Sequence, residues 1–83
     1  MHPLRNILNG ILWNRKGDLR DYTITYIHRG AVGDIRKIPF TTIKKVGKSW
    51  FLLQKAGDET LIPFHRVVTV ENTRTGEVLW RKR

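Results

Sequence analysis

Cysteine is absent from these 83 residues, which removes disulfides and thiolate metal sites and leaves hydrophobic burial to hold the fold together. A chain without cysteine suits a reducing compartment, and a cytoplasmic location is expected. Carboxylates are scarce: seven Asp and Glu stand against sixteen Lys and Arg, a formal net charge of +9 at pH 7. No apolar run approaches the roughly 18 residues that a membrane-spanning helix needs. The N-terminal Met-His-Pro-Leu-Arg-Asn also lacks the charged-then-apolar build of a signal peptide. Repeats and low-complexity tracts are missing as well. The length suits one small unit, so residues 1–83 are read as a single small basic domain.

What is present is positive charge spread evenly. Residues 1–42 hold seven basic and three acidic groups, and residues 43–83 hold nine and four. Trp, Tyr and Phe are interleaved with the basic residues, which suits a folded domain rather than a disordered arm. Such a surface neutralises phosphates and points to nucleic acid; the alternative is a basic protein that is merely soluble. No basic amphipathic helix suggests a membrane surface.

Leu4, Ile7, Leu8, Ile11 and Leu12 recur at helical spacing, with Pro3 suited to the first turn. This predicts an N-terminal helix that ends over Asn14 to Asp18, at Gly17. Trp13, near its exit, is expected to cap the core edge. From Tyr22 to Arg29 the residues alternate as in a strand, placing Tyr22, Ile24, Tyr26 and His28 on one face. Shorter strands follow around Ile35–Ile38, at Ile43–Val46 and from Ser49 to Lys55, and Ala56-Gly57-Asp58-Glu59 is read as a turn. Leu61 to Val70 is the longest β-like segment. Pro39 and Pro63 mark edges or bends. Asn72 to Gly76 reads as a hairpin loop with Gly76 left-handed, before a closing strand from Glu77 to Arg81. The expected architecture is α+β: one N-terminal helix followed by a strongly curled, barrel-like antiparallel sheet of five or six short strands.

Two His-Arg dipeptides carry the chemistry. Arginine offers a planar fork matched to phosphate, and histidine adds an ionisable donor or acceptor. His28-Arg29 runs into a turn holding Gly30 and Gly33, where backbone amides can approach an anion closely. In a regular strand Ile62, Phe64, Arg66, Val68 and Val70 share one face, so Arg66 interrupts an apolar row. A buried guanidinium needs a partner, either a carboxylate such as Asp21 or Asp34 or a ligand. His28 and His65 with Lys44, Lys45 or Lys48 also supply the side-chain types of a ribonuclease. A metal site is not expected, since no Cys, His-x-x-x-His or Asp-x-Asp occurs. Of the aromatic residues, Tyr26 and Trp80 are the candidates to stack a base.

The segments Ile11-Leu12-Trp13, Asp21-Tyr22, His28-Arg29-Gly30-Ala31, Ile62-Pro63-Phe64-His65-Arg66-Val67 and Arg74-Thr75-Gly76-Glu77-Val78-Leu79-Trp80-Arg81 resemble a known family. It is the RNA cyclic-group-end recognition domain family of small archaeal proteins, and the likeness covers nearly the whole chain. Related domains in larger eukaryotic proteins stand beside RNA-end-processing modules. The resemblance implies recognition of an RNA end bearing a 2′,3′-cyclic phosphate or a similar processed terminus. It also implies that Arg29, His65 and Arg66 face phosphate, with Trp80 and Arg81 close by.

The expected function is therefore an RNA-binding module without catalysis of its own and without a cofactor. Its site comprises Arg29, His65, Arg66, His28 and Arg81, its partner is single-stranded or terminal RNA, and RNA-processing enzymes are further partners. Two alternatives stand beside it: a small phosphodiesterase or ribonuclease using His28 and His65, and a basic adaptor within an RNA-processing assembly.

Overall fold

The N-terminal apolar stripe forms helix α1, Pro3–Asn14, in the computed structural model, which describes residues 3–14, 19–30 and 32–82. The helix end expected at Gly17 lies outside the described residues, as do Ala31 and Arg83. Leu4, Leu8 and Ile11 are buried, as residues one turn apart on one helix face should be. Trp13 is not a lid on the core: it is 80% exposed.

Seven strands follow: β1 Tyr22–Ile27, β2 Ile35–Pro39, β3 Ile43–Val46, β4 Trp50–Lys55, β5 Asp58–Pro63, β6 Val67–Asn72 and β7 Val78–Arg81. They form two antiparallel sheets, one ordered β2-β1-β6-β7 and the other β3-β4-β5. This corrects the expectation of one strongly curled, barrel-like sheet of five or six strands. The helix, the antiparallel pairing and the α+β class stand, but the strands divide into two separate ladders.

Proline explains the division. Pro39 and Pro63 each end a strand in extended geometry (φ −75° and −66°), and a three-residue 3-10 turn follows each. Proline lacks the N–H that a ladder needs and fixes φ, so pairing stops there. Phe40–Thr42 carries the chain from the first sheet to the second, and Phe64–Arg66 carries it back. The two corners share a pattern: Ile38-Pro39-Phe40-Thr41-Thr42-Ile43 and Ile62-Pro63-Phe64-His65-Arg66-Val67. In each, the apolar residue after the turn donates its N–H to the phenylalanine carbonyl. Phe40 and Phe64 are 0% and 2% exposed. The continuous strand expected from Leu61 to Val70 is thus two strands and a corner.

One core fills the space between the sheets and the helix, built from Ile24, Tyr26, Ile38, Phe51, Leu53, Ile62, Val67 and Val70 together with the corner phenylalanines and the helix stripe. Each sheet is also bridged over its interior by an ion pair. Lys37 on β2 meets Glu71 on β6 at 2.8 Å, across β1, and Lys44 on β3 meets Glu59 on β5 at 2.6 Å, across β4. These pairs are exposed enough to contribute at most about 1 kcal/mol each.

Turn chemistry fixes the hairpins. Ala56 and Gly57 are both left-handed (φ 52° and 86°), a two-residue turn that leaves Asp58 and Glu59 in β5 rather than in the loop. Asn72 behaves as expected of the last hairpin, with its Oδ1 accepting from Arg74 N–H at 2.9 Å and Thr75 N–H at 3.1 Å, and Gly76 is left-handed (φ 80°). Gly47 is required for a different reason, the approach of an indole. A Cβ built there would lie 2.6 Å from Trp50 Cζ2 and 2.7 Å from Cδ2. Gly47→Ala is expected to cost about 1–3 kcal/mol, the usual range for overpacking. Its urea midpoint should fall accordingly, and an unchanged midpoint would show that Trp50 swings away freely.

Candidate nucleic-acid interface

The strand registers decide where the two His-Arg pairs go. Tyr26 on β1 lies opposite both Arg36 on β2 and Val67 on β6, and Thr69 on β6 lies opposite Arg81 on β7. The exit of β1, the entry of β2, the entry of β6 and the exit of β7 therefore share one end of the four-stranded sheet. His28 and Arg29 leave β1 there, His65 and Arg66 form the corner into β6, and Arg81 and Lys82 close the chain beside them. The topology brings both dipeptides to one end, which sequence spacing alone does not reveal.

Backbone contacts tie this end together. Lys82 donates from its N–H to the Val68 carbonyl at 2.8 Å, and its ammonium donates to the His65 carbonyl. Phe64 N–H donates to the Ser49 carbonyl at 2.9 Å, which draws the β3–β4 turn, with the exposed Lys48, to the same corner. His28 N–H donates to the Asp34 carbonyl at 2.9 Å, closing the β1–β2 loop over left-handed Gly30, Gly33 and Asp34. Opposite charge collects at the far end of the sheet. Asp21 precedes β1, Glu71 lies opposite Thr23 and Val78, and Glu77 accepts the Asn72 N–H through its carbonyl. Asp21 and Glu71 are also partnered there, by Arg74 at 3.7 Å and by Lys37.

Arg66 is not stranded in an apolar row. The 3-10 turn ends the alternation after Phe64, so Phe64, Val67 and Val70 are buried while His65 and Arg66 are exposed. Neither Asp21 nor Asp34 pairs with Arg66: Asp21 faces Arg74, and Asp34 Oδ1 lies 3.4 Å from Gly30 N–H. Arg29 and Arg81 are likewise exposed. The guanidinium groups at this end are thus solvated, which removes the burial penalty and leaves their forks available.

The aromatic candidates separate. Tyr26 is 2% exposed, with its ring edge-on to Phe51 at 6.3 Å and to His28 at 6.2 Å, so it is a core residue and not an exposed stacking platform. Trp80 lies opposite Val70 and is half-buried against the core.

Beside the basic end opens a cleft of about 270 Å³ between β1–β2 and the β4–β5 hairpin. Tyr26, Ile38 and Leu53 line it, with His28, Arg36 and Lys55 as its basic residues and Asp58 as its acid. Thr42 and Thr60 add hydroxyls. Arg36 and Lys55 carry no motif in the sequence. The available signal was alternation: Ile38 and Arg36 are two apart, as are Leu53 and Lys55, so each cation continues a row that faces the core. Among the described residues no group of His, Asp or Glu could hold a metal ion, and no helix is long and apolar enough to cross a membrane.

Residues 1–82 match the family model described as the MJ1316 RNA cyclic group end recognition domain. A UPF0248 protein of Methanococcus maripaludis strain C7 is 41% identical over 80 residues, covering 96% of this chain and 99% of its own. A UPF0248 protein of Thermococcus gammatolerans is 39% identical, covering 96% and 89%, and the UPF0248 protein MJ1316 of Methanocaldococcus jannaschii is 30% identical, covering 96% and 94%. No solved structure matches the chain.

Proposed function

Because the chain belongs to the MJ1316 RNA cyclic group end recognition domain family, we propose that it binds RNA at the basic end of its four-stranded sheet. The ligand is a single-stranded 3′ terminus carrying a 2′,3′-cyclic phosphate or a related processed group. One observation carries the reading: three strand termini, the exit of β1, the entry of β6 and the exit of β7, deliver Arg29, Arg66, Arg81 and Lys82 to one end of the sheet. Arg29 and Arg66 grip phosphate oxygens with their forks, and His65 donates to a phosphate oxygen or a ribose hydroxyl. Arg81 and Lys82 extend the contact along the backbone, and the exposed part of Trp80 offers the only stacking surface of the two aromatics considered.

The module acts without catalysis. Among the described residues neither His28 nor His65 is hydrogen-bonded to a carboxylate that would orient it as a general base, and Lys44 is occupied by Glu59. A second reading has one observation in its favour: Lys48 is drawn to the His65 corner, so a phosphodiesterase would find an imidazole and an ammonium together.

Arg66→Ala separates these readings. Loss of one charge-assisted contact costs about 1.5–3 kcal/mol, roughly tenfold to a hundredfold in Kd. That loss is expected for RNA ending in a cyclic phosphate, measured by fluorescence anisotropy, with a smaller loss for the 3′-hydroxyl RNA. Equal losses would leave only general backbone binding. The cyclic end should survive prolonged incubation with the wild-type protein, and turnover abolished by His65→Ala would establish the phosphodiesterase instead.

A further inference from the structure

The cleft beside the basic end has features that a solvated surface does not need. In a strand, alternate residues share a face, and the buried members of each neighbouring strand identify which face looks inward. Ile24 and Tyr26 are buried on β1, and His28 follows in the same row. Ile38 is buried on β2, and Arg36 precedes it. Phe51 and Leu53 are buried on β4, with Lys55 next, and Ile62 is buried on β5, with Thr60 and Asp58 before it. All four core-facing rows turn from apolar to polar at one mouth, and all four end among the residues that line the cleft. Three of these terminal side chains are basic or ionisable to cations, and one is acidic.

Tyr26 supplies an independent sign. It is 2% exposed and lines the cleft, and its hydroxyl is not among the buried side-chain atoms left without a partner, so it opens to the cleft, where an occupant can reach it. An apolar floor of Tyr26, Ile38 and Leu53 beneath His28, Arg36 and Lys55 suits a molecule with one flat apolar part and one anionic part. A volume of about 270 Å³ admits a single nucleotide and excludes a duplex.

We propose that this cleft is a mononucleotide pocket that receives the terminal nucleoside of the bound RNA, with Arg36 and Lys55 on its phosphate and Thr42, Thr60 and the Tyr26 hydroxyl on its sugar or base. The proposal rests on the reading of the chain as an RNA-end binder and adds where the end is read. His28 joins the two parts: it lines the cleft, and its neighbour Arg29 stands on the exposed rim. Arg29 and Arg66 would hold the terminal phosphate from the rim, and the cleft would receive the nucleoside that carries it.

The test uses the intact protein and adenosine 2′,3′-cyclic monophosphate as probe. NMR titration is expected to shift the amides of Thr42, Leu53 and Thr60, with inorganic phosphate competing more weakly than the nucleotide. Arg36→Ala combined with Lys55→Ala, both exposed and outside the core, should weaken nucleotide binding at least tenfold. The same variant should erase the preference for cyclic-phosphate RNA while binding to 3′-hydroxyl RNA falls less. No nucleotide binding by the wild type, shifts confined to the Arg66–Arg81 region, or an unchanged end preference in the double variant would each overturn the pocket. Absence of RNA binding by the wild type would instead overturn the RNA-binding reading itself, so the two failures are distinguishable.

Discussion

Phe64→Ala should remove a large share of the protein's stability, about 3–5 kcal/mol. Its ring is 2% exposed and sits where the chain passes from the three-stranded to the four-stranded sheet. Truncating a buried phenylalanine costs about 3–5 kcal/mol, through lost transfer energy and the cavity left behind. A domain of this length has a total stability of roughly 4–12 kcal/mol at the common per-residue range. Pro63 cannot extend the ladder and the turn is closed by the phenylalanine's own carbonyl, so the buried ring anchors the corner beside the hydrogen bonds to Ser49 and from Lys82. Phe40→Ala, at the matching corner and edge-on to Tyr22 at 6.1 Å, should cost a similar amount. Urea unfolding followed by circular dichroism would measure both. A loss under about 1 kcal/mol would mean that the corners are not anchored by their phenylalanines. The exposed Arg66→Ala provides the control, since substitutions of that kind usually stay within about 0.5 kcal/mol.

The second large effect is on binding. Arg29, Arg66, Arg81, Lys82 and Lys48 stand at one end of the molecule, and about five phosphate contacts on a single strand imply a log–log salt slope near −3.5. Between 50 and 200 mM salt the affinity should therefore fall roughly a hundredfold. Removing one contacting cation should make the slope shallower by about 0.7. Arg81→Ala is expected to do so, whereas Arg74→Ala, which pairs with Asp21 at the opposite end, should leave it unchanged. A wild-type slope weaker than about −1 would show that the basic end does not grip the RNA backbone.

The helix and most strands were legible because their periodicity is local: i, i+3, i+4 in α1 and alternation in β1 need no knowledge of the rest of the chain. The hairpin loop at Asn72–Gly76 was legible for the same reason. What escaped was set by proline and by pairing at a distance. Residues 61–70 look like one strand until Pro63 is allowed to end it, and the alternation then restarts after Arg66. Arg66 interrupts an apolar row only in a straight strand, and the 3-10 turn at Phe64–Arg66 takes it out of that row. The matching Ile-Pro-Phe at residues 38–40 is the signal in the sequence that marks both corners.

The site was half legible. Both His-Arg dipeptides were visible as chemistry, but their meeting depends on β1 and β6 being antiparallel neighbours, which spacing does not encode. Tyr26 is buried rather than displayed for stacking, because an aromatic residue in a small domain serves the core first. Arg36 and Lys55 were missed because each is ordinary in isolation. They become notable only when four separate strands are seen to end their core-facing rows at one cleft.

The central claim is that this protein reads the end of an RNA, and it is tested most directly by changing only that end. One oligonucleotide, prepared with a 2′,3′-cyclic phosphate, a 3′-phosphate or a 3′-hydroxyl, should be titrated into the wild-type protein at a single salt concentration. At least tenfold tighter binding to the cyclic terminus than to the hydroxyl is predicted. Equal affinity for all three would contradict end recognition and reduce the basic end to a general phosphate-binding surface.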